Sequence, residues 1–345
     1  MKRGPMMWVS GAIAAAALFH GAAMAEPLRA SGPFVHENLA VFFIHGENAR
    51  GDAPLTLQEA MKEGVVQVHE TGDIHELKME NHGDREVFVQ SGDIVKGGKQ
   101  DRVVASSLVV PERSGSVPIA SFSVEEGRRW QRGVESETSF TGTEFLIPSR
   151  QAKLAMKPDL PVQVAGMVEI NGATRSTRQH QMWRSVAATQ QSLRDTVGRS
   201  VTETVSRGSL PLSLENATLK ERQSRYVKAL DRLPQDETII GYAFAVNGRL
   251  NSADVYASQA LFRKLWPKLL RASATEAIAE SGRLGDAAPT PDAVVAFLTD
   301  IEAAPRKVRS LTSDVRLETS ETEQTVYSEA QRSAGHAVHR SYVAK

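Results

Sequence analysis

Short apolar runs separated by turn-forming residues fill the first third of this chain after its N-terminus, and they restrict that part to a sheet-based architecture. The first such run covers residues 39–44, and turn signals such as Gly72-Asp73 and Asn81-His82-Gly83-Asp84 recur between later runs. Gly, Asn and Asp favour tight reversals between extended segments. The pattern therefore predicts an antiparallel sandwich or barrel-like sheet over residues 39–125. The predicted strands cover residues 39–44, 65–69, 76–80, 86–90, 102–110 and 116–124.

Helical periodicity replaces this pattern from about residue 173. Apolar positions at three- and four-residue steps predict a long helix; its stripe is Trp183, Val186, Gln190, Leu193, Val197 and Val201. A short helix is predicted over 56–62, where Thr56 and Glu59 have the spacing of a capping box. Further helices are predicted over 214–233, 258–280 and 290–303, with a strand pair between them that turns at Asn247-Gly248. The predicted fold class is therefore α+β: an N-terminal antiparallel β-rich half, followed by helices with a further strand pair.

The first 25 residues have the three zones of a secretory signal peptide. Lys2 and Arg3 precede an apolar stretch, and Ala23-Met24-Ala25 supplies small residues before Glu26. The alternative is an uncleaved anchor, since residues 6–25 are nearly long enough to span a bilayer. The small-residue cleavage site favours removal, which predicts a periplasmic or secreted protein with no stable membrane span after cleavage.

The remaining chain is predicted to form one mixed domain with short additions at both ends. Residues 26–33 contain Pro and Gly and are predicted to be a leader, and the weakly alternating residues 304–345 are predicted to be a C-terminal extension with possible terminal strands. The α+β domain is predicted over 34–303, with its β-rich part at 39–125 and its mixed helical part at 173–303.

Composition excludes several classes of function. The chain has 41 basic and 41 acidic residues, and removal of Lys2 and Arg3 leaves 39 against 41, a net charge of about −2. Such a chain lacks the positive field of a non-specific nucleic-acid binder, so no nucleic-acid partner is predicted. With no cysteine, it has no disulfide, thiol chemistry or cysteine-based zinc site. Its histidines are scattered, and neither a metal nor a cofactor is predicted.

The most unusual segment is Gly92-Asp93-Ile94-Val95-Lys96-Gly97-Gly98-Lys99-Gln100-Asp101-Arg102, between two predicted strands. Glycines allow a backbone to approach a ligand closely, and successive N–H groups beside Lys99 and Arg102 could form an anion-binding nest. It is not a P-loop, because the lysine comes one residue late and Gln100 replaces the hydroxyl residue. The alternative is a polar turn that only connects two strands.

A second polar segment, Ser123-Val124-Glu125-Glu126-Gly127-Arg128-Arg129-Trp130, follows another predicted strand. Glu125 and Arg129 could pair, and Trp130 could stack on a base, a sugar or a guanidinium group. The alternative is a surface salt bridge beside a half-buried tryptophan. Both segments lie at strand ends of the β-rich half, so we expect them to meet in space.

Taken together, these segments resemble the core of the ARPP-1 domain family, whose name refers to ADP-ribosylglycohydrolase, rhodanese and phosphatase associations. The Gly97-Gly98-Lys99-Gln100-Asp101-Arg102 segment and Glu125-x-Gly127-Arg128-Arg129-Trp130 carry the resemblance. Gln181-Met182-Trp183 and Trp266-Pro267-Lys268 resemble its second half, so that residues 33–280 are covered. Ser123 stands where many members carry cysteine, and Arg128 lengthens the usual Gly-Arg-Trp.

The resemblance implies an association with ADP-ribose or NAD metabolism rather than a mechanism. The function predicted is an exported binding or accessory domain for an anionic ligand, ADP-ribose- or nucleotide-like, or for an envelope protein. The candidate ligand-binding residues are Asp93, Gly97, Gly98, Lys99, Gln100, Arg102, Glu125, Arg129 and Trp130.

Two other readings of the same residues stay open. One is an enzyme acting on an anionic substrate, with Glu125 or Asp93 as general acid or base and Lys99 and Arg102 holding charge. The other is a structural envelope domain in which the motif residues only hold a turn. The environment of Arg102 distinguishes a ligand-binding role from a structural one. An anion clamp needs its guanidinium open to a ligand, and a structural role does not.

Overall fold

A computed structural model of the protein describes residues 27–157, 162–164, 167–169, 172–282, 285–333 and 335–345. The predicted signal peptide and its cleavage site lie outside these residues. In chain order, the first half contains β1 (Arg29–His36), β2 (Leu39–His45), β3 (Leu55–Thr56), α1 (Leu57–Lys62), β4 (Val66–Glu70), β5 (Glu76–Asn81), β6 (Val87–Val89), β7 (Asp93–Gly97), β8 (Arg102–Val104), β9 (Leu108–Val110), β10 (Ser114–Ser123), β11 (Phe140–Leu146) and α2 (Arg150–Ala155).

The second half contains β12 (Val162–Val164), β13 (Met167–Glu169), α3 (Gly172–Val197), α4 (Leu210–Leu214), α5 (Ala217–Leu230), β14 (Ile239–Val246), β15 (Arg249–Tyr256), α6 (Gln259–Ala279), α7 (Pro291–Thr299), β16 (Lys307–Ser310), β17 (Val315–Glu321), β18 (Thr325–Arg332) and β19 (Ala337–Ala344). The predicted α+β fold class is confirmed.

One large antiparallel sheet joins the two ends of the chain. Its strand order is β1-β2-β14-β15-β19-β18-β17-β16. The predicted β14–β15 hairpin is present, and its turn holds Asn247 at φ 52° and Gly248 at φ 77°, the left-handed conformation that an Asn-Gly turn adopts at low cost. Strands β16 to β19 thus belong to the same sheet as β1. Strand β1 itself begins inside the stretch predicted to be a leader.

The β-rich half forms two smaller sheets that carry the sequence motifs. A six-stranded sheet has the order β11-β7-β8-β10-β5-β4, and a three-stranded sheet has the order β3-β6-β9. The segment 92–102, predicted as a connection, contains strand β7, because Ile94 and Val95 are buried in the core. The predicted strand 102–110 is interrupted at residues 105–107, where Ser106 and Ser107 turn polar groups inward.

Local capping signals place the helices as predicted. Thr56 and Glu59 form the reciprocal capping box of α1, and Thr290 caps α7 with Pro291 at its first turn. Helix α6 continues through Pro267, and its C-terminal part, residues 272–278, is buried on every side. None of the helices in the described ranges has both the length and the apolar character needed to cross a membrane.

Candidate functional site

The two polar segments meet at the end of the six-stranded sheet, as expected. The Asp101 amide donates to the Glu125 carboxylate at 2.8 Å. The Arg128 guanidinium donates to the carbonyl oxygens of Gly97 and Gly98 at 3.0 and 2.9 Å. The β7–β8 turn and the loop after β10 therefore form one structural unit.

Buried ion pairs hold this unit together, and we call them the arginine network. Arg132 donates two hydrogen bonds to the Asp101 carboxylate, at 2.9 and 3.0 Å, and one to Glu125 at 3.0 Å. Arg128 Nε donates to Glu125 Oε1 at 2.7 Å. The network consists of Glu70, Asp101, Arg102, Glu125, Arg128, Arg132 and Glu135.

Serines from the start of α4 complete the bonding of the two central carboxylates. Ser209 Oγ donates to Asp101 at 2.6 Å, and Ser206 Oγ donates to Glu125. Burial alone would favour the protonated acid, but the hydrogen bonds from Arg128 and Ser206 outweigh it and lower the pKa of Glu125. Burial likewise opposes the charge of Arg132, yet Asp101 and Glu125 raise its pKa above the ordinary value. Burial raises the pKa of Asp101, although hydrogen bonds from Arg132 and Ser209 oppose that shift. The network is therefore internally bonded, with a charged Glu125 and a charged Arg132 at its centre.

Arg102 belongs to the interior and does not face solvent. Its side chain is 3 % exposed, pairs with Glu70 at 3.1 Å and donates to the Gln100 carbonyl oxygen at 2.9 Å. Its Nε donates to no acceptor among the described residues. A guanidinium held in this way favours the structural reading of Arg102 over the anion clamp.

The glycine turn is filled by groups of the protein itself. Gly97 and Gly98 have φ values of 126° and 55°, and a Cβ on Gly98 would lie 2.3 Å from the Phe140 ring. The Gly97 amide donates to Asp101 at 3.0 Å and the Lys99 amide to Glu70 at 3.0 Å. Carboxylates of the chain thus occupy the position that an anion would take in the nest.

The two carboxylates considered as general acid or base are both bound in pairs. Glu125 is fully buried among Arg128, Arg132 and Ser206. Asp93 is 3 % exposed, accepts from the Gln90 amide at 2.8 Å and pairs with Lys268 of α6. Neither carboxylate is open to a substrate in this arrangement.

Beside the arginine network, three exposed side chains form what we call the basic tip: Lys99, Arg129 and Trp130. Trp130 is 76 % exposed. Arg128 Nη1 donates to both the Gly98 and the Trp130 carbonyl oxygens at 2.9 Å, which brings the Lys99 and Trp130 backbones close together. Within the described ranges, the side chains of Lys99 and Arg129 make no ion pair or hydrogen bond.

Comparison with protein families agrees with this architecture. The model of the ARG and Rhodanese-Phosphatase-superfamily-associated Protein domain, ARPP-1, matches residues 27–343. This chain belongs to the ARPP-1 family. Searches of curated proteins and of solved structures find no match. The ARPP-1 match includes the C-terminal strands, which the sequence resemblance over 33–280 leaves out.

In this ARPP-1 domain, side chains of helix α3 form hydrogen bonds with Ser123, the first residue of the second polar segment. Gln179 bonds both backbone groups of Ser123, at 3.0 and 2.9 Å, and Trp183 Nε1 donates to its hydroxyl at 3.3 Å. The hydroxyl also donates to the Glu125 carbonyl oxygen at 2.9 Å. Ser123 is therefore a buried hydrogen-bonding centre.

Sequence reasoning missed most partners of the arginine network. Glu70, Arg132, Ser206 and Ser209 were not candidates, and Arg128 was noted only as an insertion. The spacing Arg128-x-x-x-Arg132 beside two acidic residues was the available signal, whereas Ser209 lies 108 residues from Asp101 and gave none. Among the described residues, no three His, Asp or Glu side chains are grouped as metal ligands.

The structure also pairs Ser107 with a histidine of strand β19. Ser107 Oγ bonds His339 Nδ1 at 2.9 Å, and His339 Nε2 bonds Asp254 at 3.0 Å. Ser107 is 5 % exposed, and its Oγ also accepts from the Ser91 amide at 2.8 Å. A hydroxyl fully bonded inside the core connects β19 to the β-rich half and does not offer a nucleophile to solvent.

Proposed function

We propose that this ARPP-1 chain is an exported binding domain that takes an anionic, ring-containing ligand at its basic tip. The exposure of Trp130, at 76 % on a loop fixed by buried arginines, carries the proposal. A large apolar ring is costly to leave in water. A rigid loop that presents it loses little conformational entropy when it binds a partner.

The charges at the tip favour an anionic ligand. In the arginine network, Arg102, Arg128 and Arg132 face four carboxylates, those of Glu70, Asp101, Glu125 and Glu135. The buried part therefore has no positive charge left for a ligand. Lys99 and Arg129 are exposed beside Trp130, and their charges are available.

A nucleotide-like molecule such as ADP-ribose has the matching chemistry. Its phosphates accept hydrogen bonds from lysine and arginine, and its planar base can stack on an indole ring, a contact worth about 1–3 kcal/mol per base. The family name, which includes ARG, is consistent with this ligand class.

Calorimetric titration of the mature protein with ADP-ribose tests the proposal. Arg129→Ala is expected to weaken binding by about 1.5–3 kcal/mol, the scale of a charged hydrogen bond, and Trp130→Ala by about 1–3 kcal/mol. Both side chains are exposed, so the melting temperature is expected to stay within a few degrees of wild type. The matched control is Arg199→Ala, an exposed arginine after α3.

Inorganic phosphate and AMP, titrated in parallel, separate the contribution of charge from that of the ring. If ADP-ribose, AMP and phosphate all fail to bind, or if Arg129→Ala and Trp130→Ala both bind ADP-ribose as wild type does, the basic tip has no such role. The structural reading of the motifs would then be preferred.

Export predicts a defined mature N-terminus. Ala23-Met24-Ala25 places the cut before Glu26, so N-terminal sequencing of protein recovered from the periplasm or medium is expected to begin at Glu26. Protein that retains residues 6–19 and fractionates with membranes would instead indicate an anchor.

A further inference from the structure

A groove between three helices lies apart from the basic tip and has no role in the function proposed above. We call it the α2–α3–α6 groove, and its volume is about 710 Å³, within the range of small-molecule sites. Its walls include Ser149, Ser185, Ala188, Thr189, Ser192 and Glu276.

The sequence of α3 accounts for the open space. Ser185, Ala188, Thr189 and Ser192 follow the three- and four-residue spacing of one helix face. All four side chains are small, so the face that α3 turns toward α2 and α6 leaves a channel that larger residues would fill. The opposite face of α3 is buried in the core and carries Val186, Leu193 and Val197.

Glu276 of α6 places an incompletely bonded carboxylate on the wall of this groove. The residue is 5 % exposed, and its Oε1 accepts from the Arg150 amide at 2.7 Å. Its Oε2 is buried and has no hydrogen-bond partner of normal geometry among the described residues, although the Asn251 side chain lies close enough to act against the raised pKa of this carboxyl. A buried carboxylate oxygen without a donor is unfavourable in the free protein, so a ligand that donates to it would stabilise the complex.

Burial and the neighbouring donors act on the charge of Glu276 in opposite directions. Burial raises the pKa of Glu276, while Lys153, the Arg150 amide and Asn251 oppose this shift. An ammonium group in the groove would favour the ionised carboxylate and provide up to three donors.

The charged residues Arg150, Arg184 and Glu280 also line the groove. Arg184 of α3 lines the groove, is exposed, and has no ion pair within the part of the chain that the structure describes. A guanidinium there can bind a carboxylate through two parallel hydrogen bonds. The groove therefore has a buried acceptor on its inner wall and a basic group at its mouth.

We propose that the α2–α3–α6 groove binds a small zwitterion, a free α-amino acid, with its ammonium group at Glu276 and its carboxylate at Arg184. The proposal uses none of the basic-tip residues and stands independently of ADP-ribose binding. It also assigns a role to the small residues of α3 that line the groove.

A pair of adjacent alanines on α3 provides the test. Ala188 lines the groove, whereas Ala187 is exposed and lies outside it. Ala188→Trp is expected to block binding and Ala187→Trp to leave it unchanged, with both proteins folded. The probe is a panel of free amino acids at millimolar concentration, screened by melting temperature and confirmed by calorimetry, because selective binding raises the melting temperature.

Two further variants identify the groups that bind. Glu276→Gln is expected to lower the affinity for the bound amino acid by roughly tenfold or more, because a charged hydrogen bond is lost. Arg184→Ala is expected to lower the affinity for that amino acid but not for the amine that lacks its carboxylate. The proposal is overturned if no amino acid binds wild type, if Ala188→Trp and Ala187→Trp respond equally, or if Glu276→Gln binds as wild type does. Should Glu276→Gln fail to fold, the alanine pair still decides.

Discussion

Replacing Arg132 by alanine is expected to lower the free energy of unfolding by about 3–5 kcal/mol, since it leaves buried carboxylates without their partner. Arg132 is buried, and it donates to Asp101, Glu125 and Glu135. Asp101 and Glu125 are both fully buried, so water cannot replace the lost hydrogen bonds without opening the loop. Urea denaturation followed by circular dichroism measures the change.

Arg129 is the matched control for this prediction. It lies three residues earlier on the same loop and is exposed, so Arg129→Ala is expected to change stability by no more than about 0.5 kcal/mol. Arg132→Lys is expected to fall between the two, because a lysine keeps the charge but loses the fork that bonds Asp101 twice. Equal stability of the two alanine variants would mean that the arginine network contributes nothing to the fold.

Local sequence signals predicted the elements of the fold whose determinants are close together in the chain. The Asn247-Gly248 turn, the Thr56–Glu59 capping box and the start of α7 at Thr290 each depend on residues within a few positions. The C-terminal strands were predicted only as possible terminal strands. Their place in the large sheet depends on pairing β19 with β15, some 90 residues earlier, and alternation alone does not specify a partner.

In the candidate site, too, the sequence predicts the features with nearby determinants and misses those that depend on distant partners. That the two polar segments meet could be inferred, because both follow strands of one sheet. Which side chains face inward could not, since the partner of Arg102 is Glu70, 32 residues away. Glycine and lysine content suggested an anion nest, but the carboxylates of Asp101 and Glu70 fill it. The same composition therefore serves an internal ion-pair network, and among the candidate ligand-binding residues Lys99, Arg129 and Trp130 are exposed.

The buried pair of Asp93 and Lys268 allows a second large effect to be expected. Asp93 begins β7, and Lys268 follows Pro267 in the middle of α6, so the pair joins the β-rich half to the long helix. Both side chains are about 95 % buried. Lys268→Met is expected to lower the free energy of unfolding by about 3–5 kcal/mol, because it leaves the Asp93 carboxylate charged and unpaired in the core.

The double variant Asp93→Asn with Lys268→Met distinguishes loss of the charge pair from loss of packing. Asparagine can still accept from the Gln90 amide, which donates to Asp93 at 2.8 Å, and no buried charge is left. We therefore expect the double variant to be more stable than Lys268→Met alone, with a coupling between the two sites of about 1–3 kcal/mol. Urea denaturation of the four proteins gives this coupling directly. Strictly additive losses would show that Asp93 and Lys268 stabilise the fold separately, and that the lysine acts there mainly through the packing of its aliphatic chain.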